Sequence, residues 1–257
     1  MDDEQGAEPL PRSACRGLGW IVHLMSDPAA FPPTPPPSTT EVAAIAAHDW
    51  AAFDAVDEMV NHWDRPGWSD ATRAYYWLIA IPADSALVPH AQHCQRTLRH
   101  LAFDDIGHDG LHLTVARLGP VREVAASELA TLAAIARRTI RSAFTLQAVP
   151  LTASRGALRY SVAPWKPVLE LHAALTSAGA AVGIPPRKRT AVFRPHIGIA
   201  YCNRRLPAVS VRDRLLPLRD MDPVAVPITE VHLVELRREQ RAYLWEVVHT
   251  LTLDPAL

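Results

Sequence analysis

The sequence predicts a mixed α and β fold built from two similar halves, and three observations lead to this fold class. Short apolar strands alternate with amphipathic helices from about residue 75 onward. The order strand, helix, strand, helix of the first half is roughly repeated in the second. Two long apolar runs near the end, joined by a charged turn, predict an antiparallel hairpin. With 257 residues and 49% hydrophobic side chains, the chain can form a sizeable core.

The first elements precede the repeated part. Residues 1–37 contain few periodic apolar positions and end in a proline-rich run, which predicts a flexible or surface-lying arm. Ser38 and Glu41 form a capping-box pattern, and apolar residues at helical spacing then predict one long helix up to the break at Pro66-Gly67. Residues 38–257 are predicted to form the folded domain, which from about residue 75 organises into two halves.

The elements of each half follow from hydrophobic periodicity. In the first half we predict a buried strand from Tyr75 to Ile81, a helix from Pro89 to Leu101, a strand that opens on His112, and a helix from about Glu123 to Arg141. In the second half we predict strands from Phe144 to Val149 and Leu158 to Val162, a helix from Pro164 to about Gly179, and a strand that opens on His196. The closing hairpin joins Ile228 to Leu236 with Tyr243 to Leu251.

Composition bounds the function. The formal net charge of −1 provides no global basic field, so any contact with nucleic acid must come from a local patch. Three cysteines without paired spacing predict free thiols in a reducing compartment. The acidic start and the shortness of the apolar runs predict neither a signal peptide nor a membrane span, so we expect a cytoplasmic protein. His90, His93 and Cys94 lie at helical spacing, but a wet helix face explains them better than a metal site.

Two histidines each open a five-residue apolar strand, His112-Leu113-Thr114-Val115-Ala116 and His196-Ile197-Gly198-Ile199-Ala200. Because strand side chains alternate between faces, His112 shares a face with Thr114, and His196 with Gly198. Two imidazoles at corresponding points of two similar halves suit acid and base chemistry on a phosphate ester. The alternative is that each histidine is a strand-end residue whose ring is satisfied by backbone.

These residues resemble the 2H phosphoesterase superfamily, which includes 2'-5' RNA ligases and cyclic nucleotide phosphodiesterases. The resemblance rests on His112-x-Thr114, on Arg194-Pro195-His196, and on the closing hairpin, and it extends from about Asp49 to the end. It implies that residues 38–257 form a single α+β domain with two lobes, which contribute the His112 and His196 strands. Two antiparallel-rich sheets then surround a central groove, and helices lie outside. It also implies metal-independent chemistry, without a cofactor, on RNA ends or small nucleotides that carry a 2',3'-cyclic phosphate or a 2'-5' linkage.

The resemblance implies that His112 and His196 are the catalytic acid and base, with the order left open. Thr114 is expected to bind a phosphate oxygen, with water or a backbone amide substituting for the second hydroxyl at Gly198 and with Arg194 neutralising the charge. The basic loop Arg187-Lys188-Arg189 is expected to steer RNA ends, unless it is an ordinary solvated connection. Hydrolysis and the reverse ligation both remain open, and no stable protein partner is predicted.

One departure from the family pattern affects the predicted activity. The family has Ser or Thr two residues after each histidine, whereas here the second such position is Gly198. Loss of a transition-state donor costs a factor of about 100 or more in turnover. A catalytically weakened module that binds nucleotides or RNA ends is therefore an alternative function. In a third hypothesis the groove is vestigial and the proline-rich arm recruits a partner.

Overall fold

The structure is a computed structural model that describes residues 31–64, 68–140 and 142–255. The first half comprises α1 (Val42–Asp54), β1 (Glu58–Met59), β2 (Arg73–Ala80), α2 (Leu87–Leu98), β3 (Asp104–Asp105), β4 (His112–Pro120) and α3 (Ala126–Thr139). The second half comprises β5 (Phe144–Ser154), β6 (Ala157–Ala163), α4 (Lys166–Ala181), β7 (His196–Tyr201), β8 (Leu206–Pro207), α5 (Ala208–Leu215), β9 (Val224–Ile228), β10 (Glu230–Glu239) and β11 (Ala242–Thr252).

Two antiparallel sheets form the framework, as the sequence predicts. The first has the strand order β11-β10-β2-β4 and the second has the order β3-β7-β6-β5-β9, while β1 and β8 form a short separate ribbon. Strand β4 is therefore an edge of the first sheet, and it contacts β7 of the second. Helix α4 packs against β4 and α3, and α2 packs against β7. The two strands that open on histidine thus adjoin across the boundary between the sheets.

The closing hairpin is confirmed. Strands β10 and β11 pair from Glu230 opposite Thr252 to Glu239 opposite Ala242, and Gln240 turns the chain with a φ of 50°. Strand β10 also pairs with β2, so the end of the chain completes the first sheet. The hairpin thereby brings residues of β11 to the same sheet as His112.

The long helix predicted from Ser38 to Pro66 is wrong at both ends. The Ser38 hydroxyl accepts the N–H of Glu41 at 3.1 Å, so its capping interaction belongs to a turn that precedes α1. The helix ends at Asp54, and β1 then pairs with β8. Val56 and Trp63, which continue the predicted helical spacing, are both buried, but neither lies in a helix. The apolar spacing predicted their burial correctly and their backbone conformation incorrectly.

Part of the predicted arm can be placed. Residues 31–37 form neither helix nor strand, and within them Pro32 and Pro36 are buried. The arm before Phe31 lies outside the described residues. No helix in residues 31–64, 68–140 or 142–255 is both long enough and apolar enough to cross a membrane.

Candidate active site

The first predicted motif lies at the start of the edge strand β4. His112 and Thr114 are half-buried, whereas Leu113 and Val115 are buried at 1% and 2% exposure. Regular pairing of Ala80, Ile79 and Leu78 with residues 112, 113 and 114 keeps this alternation intact, and the strand becomes irregular only beyond Thr114. The imidazole and the Thr114 hydroxyl therefore share one face of the strand, as the sequence predicts.

The second motif repeats this arrangement in β7. His196 and Gly198 are half-buried, while Ile197 and Ile199 are completely buried. A β-carbon built on Gly198 would lie 3.1 Å from Cδ1 of Ile106. Ile106 also lines a cavity beside His112, so this side chain links the surroundings of the two motifs.

Both rings are held by the same kind of hydrogen bond. Nδ1 of His112 donates to the carbonyl of Gly110 at 2.8 Å, and Nδ1 of His196 donates to the carbonyl of Arg194 at 2.9 Å. Because a carbonyl only accepts, each Nδ1 carries the hydrogen and each Nε2 carries the lone pair. Neither Nε2 has a hydrogen-bond partner among the residues that the structure describes. The matched bonds leave one free basic nitrogen on each ring.

The electrostatic environments of the two rings differ. Burial lowers the pKa of His112, and the hydrogen bond to Gly110 partly opposes this shift. Burial also lowers the pKa of His196, to about 3, with the nearby Arg159 guanidinium as the second cause. In the unliganded protein both imidazoles are therefore neutral at neutral pH, and cations contribute to this shift only at His196.

A cavity of about 390 Å³ opens beside His112. Its lining includes Asp105, Arg237 and Trp245, and the Trp245 ring lies 5.2 Å from the His112 ring at an interplanar angle of 66°. Burial, reinforced by the neighbouring Asp104, raises the pKa of Asp105. An aromatic face, a carboxyl group and a cation in one cavity can hold a heterocyclic base.

A buried ion pair lies beside His196. Arg159 of β6 pairs with Gly198 in the sheet and therefore projects on the same face as His196. Its Nη1 and Nη2 atoms donate to the Asp49 carboxylate at 3.1 and 3.4 Å, and Ser161 donates to the same carboxylate at 2.6 Å. Arg159 and Asp49 are 1% and 0% exposed. Helix α1 thus fixes a guanidinium next to the second motif.

The predicted phosphate residue Arg194 is committed to backbone. It is 5% exposed and donates to the carbonyls of Pro32, Pro33, Ala191 and Phe193 at distances of 2.9 to 3.3 Å. Its N–H groups therefore anchor the arm and the loop before β7. The charge of Arg194 still reaches this region, because it contributes to lowering the pKa of Lys188.

The basic loop divides into three different environments. Arg187 donates to the carbonyl of Leu118 and to Glu123, each at 3.0 Å, which places it at the far end of β4 from His112. Arg189 is exposed. Lys188 is half-buried and has no carboxylate partner in the described part of the chain. Burial, followed by the charge of Arg194, lowers the pKa of Lys188 to about 8.

The first described residue lies on the second motif. The Phe31 ring centroid is 4.9 Å from the His196 ring, Cζ of Arg159 lies 4.9 Å from the same centroid, and Nζ of Lys188 lies 6.0 Å from it. Sequence reasoning missed Phe31, Asp49, Arg159 and Trp245 as members of the site. Only Arg159 gave a signal, as a charged residue within a predicted apolar strand.

The helix that carries His90, His93 and Cys94 has a structural role. Nδ1 of His90 hydrogen-bonds the hydroxyl of Tyr160 at 2.7 Å, and Cys94 is completely buried against the same tyrosine. Within the described ranges, no group of three or more His, Cys, Asp or Glu side chains is placed to hold a metal ion.

The chain is similar to one protein family in sequence and to several solved structures in fold. The sequence model of the 2'-5' RNA ligase superfamily matches residues 83–240. No curated protein sequence matches the chain. Similar solved structures include E. coli LigT complexed with 3'-AMP, with 19% identity over 71% of this chain and 98% of that chain and a TM-score of 0.52. The complex of LigT with phosphate has the same identity and coverage, with a TM-score of 0.50. The protein TT0787 of Thermus thermophilus is 16% identical over 71% of this chain and 98% of that chain, with a TM-score of 0.52.

At these identities the structural likeness concerns the fold, and it agrees with the α+β arrangement of two antiparallel sheets. The family match begins at residue 83. The arm and α1, which supply Phe31 and Asp49, therefore precede the matched region. The residues that cover the second motif come from outside the part of the chain that the family model describes.

Proposed function

This chain belongs to the 2'-5' RNA ligase superfamily, and from that membership we propose that it is a metal-independent phosphodiesterase for 2',3'-cyclic phosphates or 2'-5' linkages. The observation that carries the proposal is the matched pair of imidazoles. Each opens a strand at the boundary between the sheets, and each has Nδ1 bound to the carbonyl two residues earlier. This arrangement leaves Nε2 of each ring free. One Nε2 can then accept a proton and the other, when protonated, can donate one.

We assign His196 as the base and His112 as the acid. Arg159 and Lys188 near His196 disfavour its protonated form, whereas no cation contributes to the shift of His112. In hydrolysis of a cyclic phosphate, Nε2 of His196 takes a proton from water and the water oxygen forms a bond to phosphorus. The bond from phosphorus to the ribose 3' oxygen breaks, and protonated His112 delivers its Nε2 proton to that oxygen. The product carries a 2'-phosphate.

The remaining substrate contacts follow from position. The Thr114 hydroxyl, which shares a face with His112 and has no hydrogen-bond partner among the described residues, binds a non-bridging oxygen. The heterocyclic base of the nucleotide substrate lies in the cavity beside His112, against the ring of Trp245. LigT, whose fold is similar, was solved in complex with 3'-AMP and with phosphate, which supports a ligand with a phosphate group for this chain. An RNA end with a cyclic phosphate carries the same phosphate and heterocyclic base as the nucleotide, so it can bind in the same way. The exposed Arg189 can contact the phosphate backbone of the RNA.

The proposal is tested by incubating the purified chain with nucleoside 2',3'-cyclic phosphates, short cyclic-ended RNAs and 2'-5' dinucleotides in the presence of EDTA. We expect a 2'-phosphate product from the cyclic substrates, with a rate that EDTA leaves unchanged. Absence of turnover on all three substrate classes would remove the phosphodiesterase. Loss of turnover in EDTA, restored by a divalent cation, would remove the metal-independent mechanism.

The pH dependence of kcat/KM provides a separate prediction. Because the acid must be protonated in the free enzyme and burial lowers the pKa of His112, activity is expected to fall as pH rises through a midpoint below 6.5. The pKa of His196 is lowered to about 3, so this catalytic base is neutral throughout the range from pH 5 to 8. Its titration therefore causes no loss of activity in that range. The profile should be measured from pH 5 to 8, where His172, with a pKa lowered to about 4, does not yet charge and destabilise the fold. A kcat/KM that rises from pH 5 to 8 would contradict this assignment.

Gly198 favours the second candidate, a module that binds nucleotides or RNA ends without turnover. A threonine at this position is expected to restore the missing hydroxyl, since among the described residues the close neighbour of its Cβ is the flexible end of Ile106 at 3.1 Å. If the parent chain is a weak enzyme, Gly198→Thr should raise kcat by up to about 100-fold. Gly198→Val, which matches the shape without the hydroxyl, is the control. Binding without turnover in both the parent and Gly198→Thr would favour the module.

A further inference from the structure

The face of the second sheet beside His196 carries more positive charge than it has anions to balance. Arg159 is paired with Asp49, but its Nε is buried without a hydrogen-bond partner in the described part of the chain. Lys188 is half-buried and has no carboxylate partner among the described residues. Its ammonium group has therefore lost part of its water without gaining a counter-ion. Desolvated cations without a counter-ion are costly, and a bound anion removes that cost.

We infer that Arg159, Lys188 and His196 form an anion subsite for a phosphate group, and that Phe31 covers this subsite in the unliganded chain. The inference deepens the proposed function and rests on it only for the choice of a phosphate group as the ligand. Register supports the position, because Arg159 lies opposite Gly198, where the family pattern has a hydroxyl. The guanidinium offers N–H donors in place of that hydroxyl.

The Phe31 ring occupies the space in which the anion would lie. Its centroid is 4.9 Å from both the His196 ring and Cζ of Arg159, and Nζ of Lys188 is 6.0 Å away. A ring this close to all three groups leaves no room for a phosphate between them. Arg159, which contacts this ring and the Asp49 carboxylate of α1, is 1% exposed.

The displacement that an anion requires is small. Arg194 holds the carbonyls of Pro32 and Pro33 at 3.0 and 3.3 Å, so the proline segment stays attached to the domain. Phe31 precedes this anchor and is itself only half-buried. We expect rotation of its side chain and backbone to open the side of the cations that the ring contacts. Phe31 then acts as a cover whose hinge is the contact of Arg194 with Pro32 and Pro33.

Calorimetric titration of the full chain with inorganic phosphate at pH 7 tests the inference. Phe31→Ala is expected to bind phosphate about tenfold more tightly than the parent, because no ring has to be displaced. Lys188→Met is expected to weaken binding at least about tenfold in either background, because it removes a desolvated charge. Phe103→Ala, which removes a ring packed on Arg204, and Arg189→Met, which removes an exposed neighbouring charge, are the matched controls.

Unchanged or weaker phosphate binding in Phe31→Ala would overturn the cover. Equal binding by Lys188→Met and Arg189→Met would overturn the subsite. Thermal unfolding of every variant establishes that the domain is intact before affinities are compared. The titration needs no turnover, so a chain that binds as expected but does not hydrolyse any substrate keeps this subsite and loses the phosphodiesterase. If the chain hydrolyses cyclic phosphates but the variants do not change phosphate affinity in this way, the phosphodiesterase is kept and the subsite is rejected.

Discussion

His112→Ala and His196→Ala are each expected to lower kcat/KM for a nucleoside 2',3'-cyclic phosphate by about 1,000-fold or more. Paired proton transfers by positioned imidazoles contribute roughly 10² to 10⁴ in rate each. In this chain the hydrogen bonds from Nδ1 to Gly110 and Arg194 hold both rings, and alanine removes the free Nε2 in each case. Steady-state kinetics at pH 6, where His112 retains more of its proton than at pH 7, give the most sensitive comparison.

The double variant and a third histidine make this measurement specific. Because the acid and the base act in one transition state, removing both should cost little more than removing one. His232→Ala removes a half-buried strand histidine of the first sheet, bonded to Thr250 at 3.0 Å, and is expected to retain parental activity. Single variants that keep parental turnover, or a loss in His232→Ala as large as in the others, would contradict the assignment of the two histidines.

Asp49→Asn is expected to destabilise the fold by about 3 to 5 kcal/mol. The substitution keeps the shape of the side chain but leaves the Arg159 guanidinium, which is 1% exposed, without its counter-ion. The Ser161 hydroxyl also loses a charged acceptor at 2.6 Å. Urea unfolding followed by circular dichroism measures the change, which is a large share of the roughly 5 to 15 kcal/mol that stabilises a typical domain.

A surface ion pair and a double variant provide the controls. Glu235→Gln breaks the pair with Arg73 at 2.9 Å, but the Arg73 side chain is 58% exposed, so we expect a loss of less than about 1 kcal/mol. Asp49→Asn combined with Arg159→Met should be more stable than Asp49→Asn alone, because no unpaired charge remains buried. An Asp49→Asn variant as stable as Glu235→Gln would show that water reaches the guanidinium.

The sequence predicted most of the fold because most elements have a clear period. Strand β2, the two histidine strands and the closing hairpin were predicted within a few residues of their bounds, and the family match confirms the resemblance drawn from the histidine motifs. Helix α5 and strand β9 were not predicted. Strand β9, Val224–Ile228, is short and contains Pro227, so its strand pattern was weak. The end of α1 was missed because Val56 and Trp63 continue a helical spacing from non-helical backbone.

Some residues of the candidate site could be predicted from the sequence and others could not. The strand positions and faces of His112, Thr114, His196 and Gly198 were predicted correctly, because they are local features of a strand and follow from the side-chain period. Arg159 became a site residue only through its register with Gly198, which no local pattern contains. Arg194 was expected to bind the phosphate, but it donates to the carbonyl of Pro32. Arg187 was expected to steer RNA ends, but it donates to the carbonyl of Leu118 and to Glu123. In both cases the acceptors come from distant segments of the chain.

By itself the sequence determined the two histidine strands, the faces on which their side chains lie, and the family to which the chain belongs. Only the tertiary structure decided what surrounds the second histidine. Asp49 and Phe31 are 110 and 128 residues before Arg159, and folding brings the three side chains together on one face of the second sheet. Local side-chain periodicity depends on neighbouring residues, whereas the burial and charge around His196 depend on contacts between segments that no local pattern relates.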